Sequence, residues 1–166
     1  GLLDDGNGYI ISKSLKKSTK EDREWAMDQN GYTIVDENFK YKSRIITVTV
    51  KDKTGKSREI RQKSVVYWSR HFYERDIAEH KSFLEFIEKL KKSPDSFRVT
   101  KAQAGSLKKF MSKDIVNKET GEIYDSRKLL GMIDDKKLEE FTELMGYYQI
   151  RTSEIDMDAR EVIDKY

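Results

Sequence analysis

Two histidines, three pairs of neighbouring carboxylates and two clusters of Lys and Arg are the residues through which this chain could do chemistry. His71 and His80 fall in a segment of helical periodicity. Nine residues of helix turn about 900°, so their rings project on opposite faces. That spacing suits packing or solvent contact rather than a shared metal ion. The pairs Asp4/Asp5, Asp134/Asp135 and Asp156/Asp158 each stand beside a turn or a helix start, where Asp caps the backbone. A two-metal site needs carboxylates converging from separate elements on ions about 4 Å apart, and the spacing shows no such convergence. There is no Gly-x-Ser-x-Gly elbow, phosphate-binding glycine loop or His-Glu-x-x-His helix. Thr54-Gly55-Lys56 is a turn.

The cations say more. Lys13, Lys16, Lys17, Lys20 and Arg23 cluster just after a first strand, with Tyr9 and Trp25 near. A hairpin carries Lys51, Lys53, Lys56, Arg58, Arg61 and Lys63. Two readings of it stand side by side. Lys and Arg on a hairpin can follow a phosphate backbone, and Lys on an edge strand also discourages aggregation. Tyr147, Tyr148 and Arg151 combine aromatic faces with a cation, as base-stacking platforms do. Strand alternation puts Tyr148 with Ile150, opposite Tyr147 and Arg151, and core packing accounts for at least one of the two tyrosines.

Composition bounds the partners. The chain has 166 residues, enough for one domain with a real core. Its net charge of +3 comes from 33 basic and 30 acidic residues, a mixed surface that permits local nucleic-acid patches. Seven Phe, nine Tyr and two Trp are too many for a disordered tail. Without cysteine there are no disulfides or thiolate metal sites, which fits a reducing compartment. No apolar run approaches the ~20 residues that span a bilayer, and GLLDDGNG lacks the features of a signal peptide. The expectation is a soluble intracellular protein with no membrane partner.

The elements that must position these groups follow from periodicity. Gly6-Asn7-Gly8 is a turn and Tyr9 to Lys13 a short buried strand. Ser18-Thr19-Lys20-Glu21 is a capping box opening a helix through Trp25 and Ala26, closed by Asn30-Gly31. Tyr32 to Val35 is a strand. Arg44 to Val50, dense in β-branched residues, pairs across the Lys53–Lys56 turn with Ser57 to Trp68. Arg70 to Lys92 reads as one long helix with Tyr73, Ile77, Leu84 and Ile87 in a stripe, ended by Pro94. A shorter helix follows Thr100. A second hairpin is expected around Glu119-Thr120-Gly121-Glu122. Asp134 or Asp135 caps a helix bearing Leu138 and Phe141, closed by Gly146. Tyr147 to Thr152 is the last strand. Asp158, with Glu161, then caps a helix whose Ala159, Val162, Ile163 and Tyr166 share a face. The class is α+β with a mainly antiparallel sheet and packed helices.

The two ends together carry a resemblance. YYQIRTSEIDMDAREVIDKY resembles the approach to the last catalytic residue of bacterial insertion-sequence transposases of the D-D-E type, in the insertion-sequence-four group with its Y-x2-R-x3-E-x6-K signature. Thr152-Ser153-Glu154 and Ile163-Asp164-Lys165-Tyr166 match that pattern, and Tyr166 would be the signature tyrosine. GLLDDGNGYIISKSL is similar to the helix end, turn and strand that follow the family's second Asp. Asp4 and Asp5 precede that strand and lack the Asp-Arg-Gly context.

The resemblance implies a fragment between the second Asp and the Glu of a ribonuclease H-like catalytic domain. Residues 1–17 and 147–166 would be edges of that core, and 30–145 its β-rich insertion, in a single fragment domain. The helix begun at Asp158 would then be interrupted by excision, leaving Val162 and Ile163 to solvent. The parent would cleave and transfer DNA strands with two Mg²⁺, acting on insertion-sequence ends and target DNA in the bacterial cytoplasm, nucleoid-associated when acting, as a candidate homodimer. No catalytic carboxylate, metal or cofactor would belong to this chain, which would be inert alone and grip DNA. Lys13, Lys16, Lys17, Tyr148 and Arg151 are the DNA-binding candidates. Tyr148 falls where relatives can place another aromatic suited to stacking an extruded base. The alternatives are a stand-alone nucleic-acid-binding module using the hairpin, and a protein-interaction domain using the Phe83/Phe86 face.

Overall fold

The computed structural model describes residues 8–95, 99–111 and 126–166. Asp4, Asp5, the Gly6-Asn7 part of the first turn and the hairpin expected around residues 119–122 lie outside them. In chain order the elements are β1 Ile10–Lys13, a 3-10 turn Leu15–Lys17, α1 Lys20–Met27, β2 Thr33–Asp36, β3 Phe39–Lys51 and β4 Ser57–Ser69. There follow α2 Arg70–Glu79, α3 Lys81–Lys92, α4 Lys101–Leu107, a 3-10 turn Lys108–Phe110, α5 Ser126–Met132, α6 Asp135–Glu143, β5 Tyr147–Thr152 and α7 Ala159–Lys165. This is the expected α+β class. The chain divides into two compact units, Gly1–Arg75 with Leu144–Tyr166, and Asp76–Glu143.

The first unit is built on one antiparallel sheet in the order β1-β5-β4-β3-β2. The β-branched run Ile45 to Val50 makes β3 extended. The turn after it closes on Asp52, whose carboxylate accepts from the N–H groups of Thr54 (2.8 Å) and Lys56 (3.0 Å), with Gly55 at φ 82°. The register sets the faces. Lys42, Val66 and Gln149 stand in one row and Arg44, Ser64 and Arg151 in the next. Against this face lies α1, packing Ala26 with Leu15, Val66 and Leu144. The opposite face carries Val65, Tyr67 and Ile150 and is covered by Ala159 and Val162 of α7. Burying Val162 completely contributes about 2 kcal/mol. The face expected to be left to solvent is thus packed on the sheet.

Local differences have local causes. β1 is an edge strand with largely exposed side chains, not a buried one; Tyr9 before it is buried and Ile10 packs half-buried against the core. Thr19 rather than Ser18 caps α1, accepting from Asp22 N–H at 3.2 Å, because the Ser18 hydroxyl is spent on the Leu15 carbonyl at 2.6 Å.

In the second unit, the segment read as one helix bends at His80 (φ −105°, ψ 12°), giving two helices. That is the sparsely allowed bridge region, outside the helical well, so the regular helix is interrupted there. The buried stripe is Phe86, Ile87 and Leu90 of α3; no α2 residue is fully buried, and in its first-unit part Phe72 packs half-buried on the sheet core while Tyr73 is exposed. Gln103 completes a capping box with Thr100 at the start of α4. Asp134 accepts from Lys136 and Lys137 N–H at the start of α6, and α5 is a helix that the periodicity does not announce. Phe83, Phe110 and Phe141 form the aromatic centre of this unit, with centroids 5.1 to 5.9 Å apart.

Candidate nucleic-acid interface

β3 and β4 pair over thirteen residues, from Phe39↔Ser69 to Lys51↔Ser57. β5 reaches only Lys63–Trp68 of β4, and β2 only the start of β3. Beyond Ile45↔Lys63 the two strands therefore have no third partner among the described residues. Six residues at about 3.3 Å each make a two-stranded arm of roughly 20 Å. Its sides differ. Ile46, Val48, Val50 and Ile60 lie half-exposed on one, while Thr47, Thr49, Glu59 and Arg61 lie exposed on the other. Residues 45–62 hold five basic and two acidic side chains, so the arm carries a charge equal to that of the whole chain. Asp52, one of the two acids, is engaged in the turn. The Thr54 hydroxyl, followed by the N–H groups of Thr54 and Lys56, holds its carboxyl below the usual range.

At the base of the arm the cations are of another kind. Period-2 spacing points Lys40, Lys42 and Arg44 toward α1. Arg44 lies over the Trp25 ring at 4.3 Å and donates to Asp22 at 2.9 Å. Arg151 donates to the other oxygen of Asp22 at 2.7 Å, so one buried carboxylate holds two guanidinium groups. Lys42 is buried, and its ammonium donates to the carbonyls of Trp25 (2.5 Å), Asp28 (2.6 Å) and Asn30 (3.3 Å), between the rings of Trp25 and Tyr32. It closes the carbonyl end of α1. Burial, only partly opposed by Asp28, lowers its pKa below the ordinary lysine value.

The sequence candidates separate. Lys13 at the end of β1 and Lys16 and Lys17 in the 3-10 turn are exposed and adjacent. Lys13 shares its sheet face with Arg151, but Arg151 is committed to Asp22 with its side chain 11% exposed. Tyr148 lies on the opposite face. It stacks on Tyr67 at 6.0 Å, meets Phe72 at 5.0 Å, and its hydroxyl accepts from Arg75. Tyr148 and Arg151 are thus not brought into one platform, and both are engaged within the fold. Tyr166 is 59% exposed at the end of α7. The Lys40-x-Lys42-x-Arg44 repeat is legible in the sequence as strand alternation. Its partner Asp22 had no signal, being a helix-surface residue by sequence.

The two end segments meet. β1 pairs with β5 at Ile10↔Thr152. The Thr152 hydroxyl donates to the Tyr9 carbonyl (2.7 Å), Tyr9 N–H donates to Ser153 Oγ (3.0 Å), and Glu154 N–H donates to Thr152 Oγ1 (3.0 Å). The Thr-Ser-Glu run is a clamp that fixes both backbone groups of Tyr9. As for the Mg²⁺ pair of the resembling family, no three His, Asp or Glu side chains among the described residues converge as ligands, so the described residues do not fit it. Among them no helix is long and apolar enough to cross a membrane. Compared with family models, curated proteins and solved structures, the chain finds no match in any of the three.

Proposed function

We propose that this chain is part of a D-D-E DNA transposase, the β-rich insertion with the flanking edges of a ribonuclease H-like core, and that its own task is to hold duplex DNA. One observation carries the reading. The two segments that bear the resemblance, GYIISK and YYQIRTSE, are far apart in sequence yet pair as neighbouring strands, and the Thr-Ser-Glu clamp joins them. That is the geometry an insertion between two core segments requires. The arm supplies the grip. A two-stranded ribbon fits the roughly 12 Å major groove, and its Lys and Arg release counterions from the phosphates. Strand cleavage belongs to the parent enzyme and its metal ions, and this chain alone cleaves nothing.

Duplex binding measured by fluorescence anisotropy across a salt series tests the grip. Affinity is expected to fall linearly with salt on a log–log scale. Lys53→Glu with Lys56→Glu and Arg61→Glu is expected to flatten that slope by about 3. Binding that ignores salt, or a triple variant indistinguishable from wild type, sinks the proposal. A stand-alone nucleic-acid-binding module is the second reading, which the arm supports equally. Reading the gene past the Tyr166 codon separates the two. The transposase reading requires Arg three residues on, Glu at seven and a basic residue at fourteen.

A further inference from the structure

Within the second unit, a cavity of about 700 Å³ is lined by His80, Phe83, Gly105, Ser106, Lys108, Lys109 and Phe141. Each wall has a local origin. The bend between α2 and α3 presents His80, whose ring meets Phe141 edge-on at 5.0 Å. α3 contributes Phe83, half-buried and stacked on Phe110 at 5.3 Å. α4 runs into the 3-10 turn that sets Lys108 and Lys109 side by side at the rim. Lys109 Nζ stands 5.2 Å from the Phe110 ring centre and 5.3 Å from that of Phe141, so positive charge borders the aromatic floor directly. Gly105 leaves one wall open, since a Cβ placed there meets nothing within 4 Å. No carboxylate stands among the described lining residues.

Aromatic faces select a flat ring, and adjacent ammonium groups without a competing carboxylate select an anion attached to it. The volume is that of a small-molecule site. We propose that this cavity binds one nucleotide unit, its base against the half-buried rings of Phe83 and His80 and its phosphate at Lys108 and Lys109. The assignment goes beyond the duplex grip of the arm and uses none of its residues. The nucleotide can be free or part of a single strand, and the two sources share the recognised chemistry.

Titrating the isotope-labelled full chain with dAMP, with a deoxyadenylate pentamer and with inorganic phosphate tests it by amide chemical shifts. Saturable shifts at His80, Ser106 and Lys109 are expected. Saturation by dAMP identifies a site for a free nucleotide, and saturation by the pentamer alone identifies a site for a strand. Gly105→Leu fills the open wall with a good helix former and is expected to weaken binding at least tenfold. Lys108→Glu with Lys109→Glu is expected to do the same. The arm variant Lys53→Glu/Lys56→Glu/Arg61→Glu is expected to leave the dAMP shifts intact, which separates this site from the duplex grip. The proposal is overturned by the absence of saturable shifts with both nucleotide probes, by phosphate alone binding as tightly as dAMP, or by unchanged affinity in Gly105→Leu.

Discussion

Asp22 is the residue on which the covered face of the sheet depends. It holds Arg44 from β3 and Arg151 from β5, and its side chain is 6% exposed. Removing one partner of a buried ion pair leaves the other's charge uncompensated, which costs about 3–5 kcal/mol. Arg44 keeps a quarter of its surface in water, so Asp22→Ala is expected near the lower end, measured as a shift in the urea midpoint. Tyr32 makes a prediction in pH. Its hydroxyl donates to the Ala26 carbonyl at 2.6 Å, and burial, then Tyr147 and Asp28, push its pKa far above the ordinary 10.0. The folded state therefore holds a proton that the unfolded state gives up above pH 10. The stability Tyr32 contributes is full below that pH and declines as pH rises further. Tyr67 adds a decline of the same sign, from burial first and then Tyr166 and Tyr148. Lys42 acts in the opposite sense. Its lowered pKa makes the unfolded state the better proton binder just below 10.5, so its contribution rises with pH there and then levels. Tyr32→Phe is expected to cost about 1 kcal/mol at neutral pH through the lost hydrogen bond. It should also flatten the alkaline decline, read from denaturation midpoints between pH 8 and 11. A variant that declines as steeply as wild type above pH 10 would refute this.

Two glycines show what the elements demand of the backbone. Gly105 lies inside α4 with open space where a Cβ would go, so Gly105→Ala is expected to stabilise by about 1 kcal/mol through helix propensity. Gly146 joins α6 to β5 at φ 84°, and a Cβ there would stand 2.6 Å from Trp68 Nε1 and 2.8 Å from Tyr73 Cβ. Gly146→Ala is expected to destabilise by more than 1 kcal/mol. Opposite shifts in thermal midpoint check the pair. Glycine signals of this second kind were legible: Gly55 and Gly146 were placed as turn and helix end from the sequence. So were β3 and β4, whose β-branched runs leave little choice. The bend at His80 was not, because neither Gly nor Pro marks it; the ring it meets there, Phe141, is 61 residues away in the chain. The site was half legible. Exposed Lys13, Lys16, Lys17 and the arm cations could be named from type and spacing. The commitment of Arg151 to Asp22 joins residues 129 apart in the chain, and no local pattern encodes that.

For the whole molecule, the arm is separable in a way the other strands are not. Among the described residues, those of the arm past Ile46 pair only with each other, whereas Gln62 at its base donates to the buried Tyr9 hydroxyl. Replacing residues 47–61 by Asn-Gly, a two-residue hairpin turn, is expected to leave the stability within about 1 kcal/mol of wild type and to abolish duplex binding. The first is read by urea denaturation and the second by anisotropy. Loss of the fold would mean that the arm is a structural strand pair, and retained binding would move the grip elsewhere.

The pairing of β1 with β5 also sets an order of events during synthesis. β3 and β4 meet across a five-residue turn and can form as soon as both have emerged. Among the described residues β1 pairs only with β5, and their closest register positions, Lys13 and Gln149, are 136 residues apart. At ribosomal rates of 5–20 residues per second, β1 waits roughly 7 to 27 seconds as an unpaired strand. It is four residues long and ends in lysine, and a short, charged strand is the kind that survives such a wait without recruiting another chain.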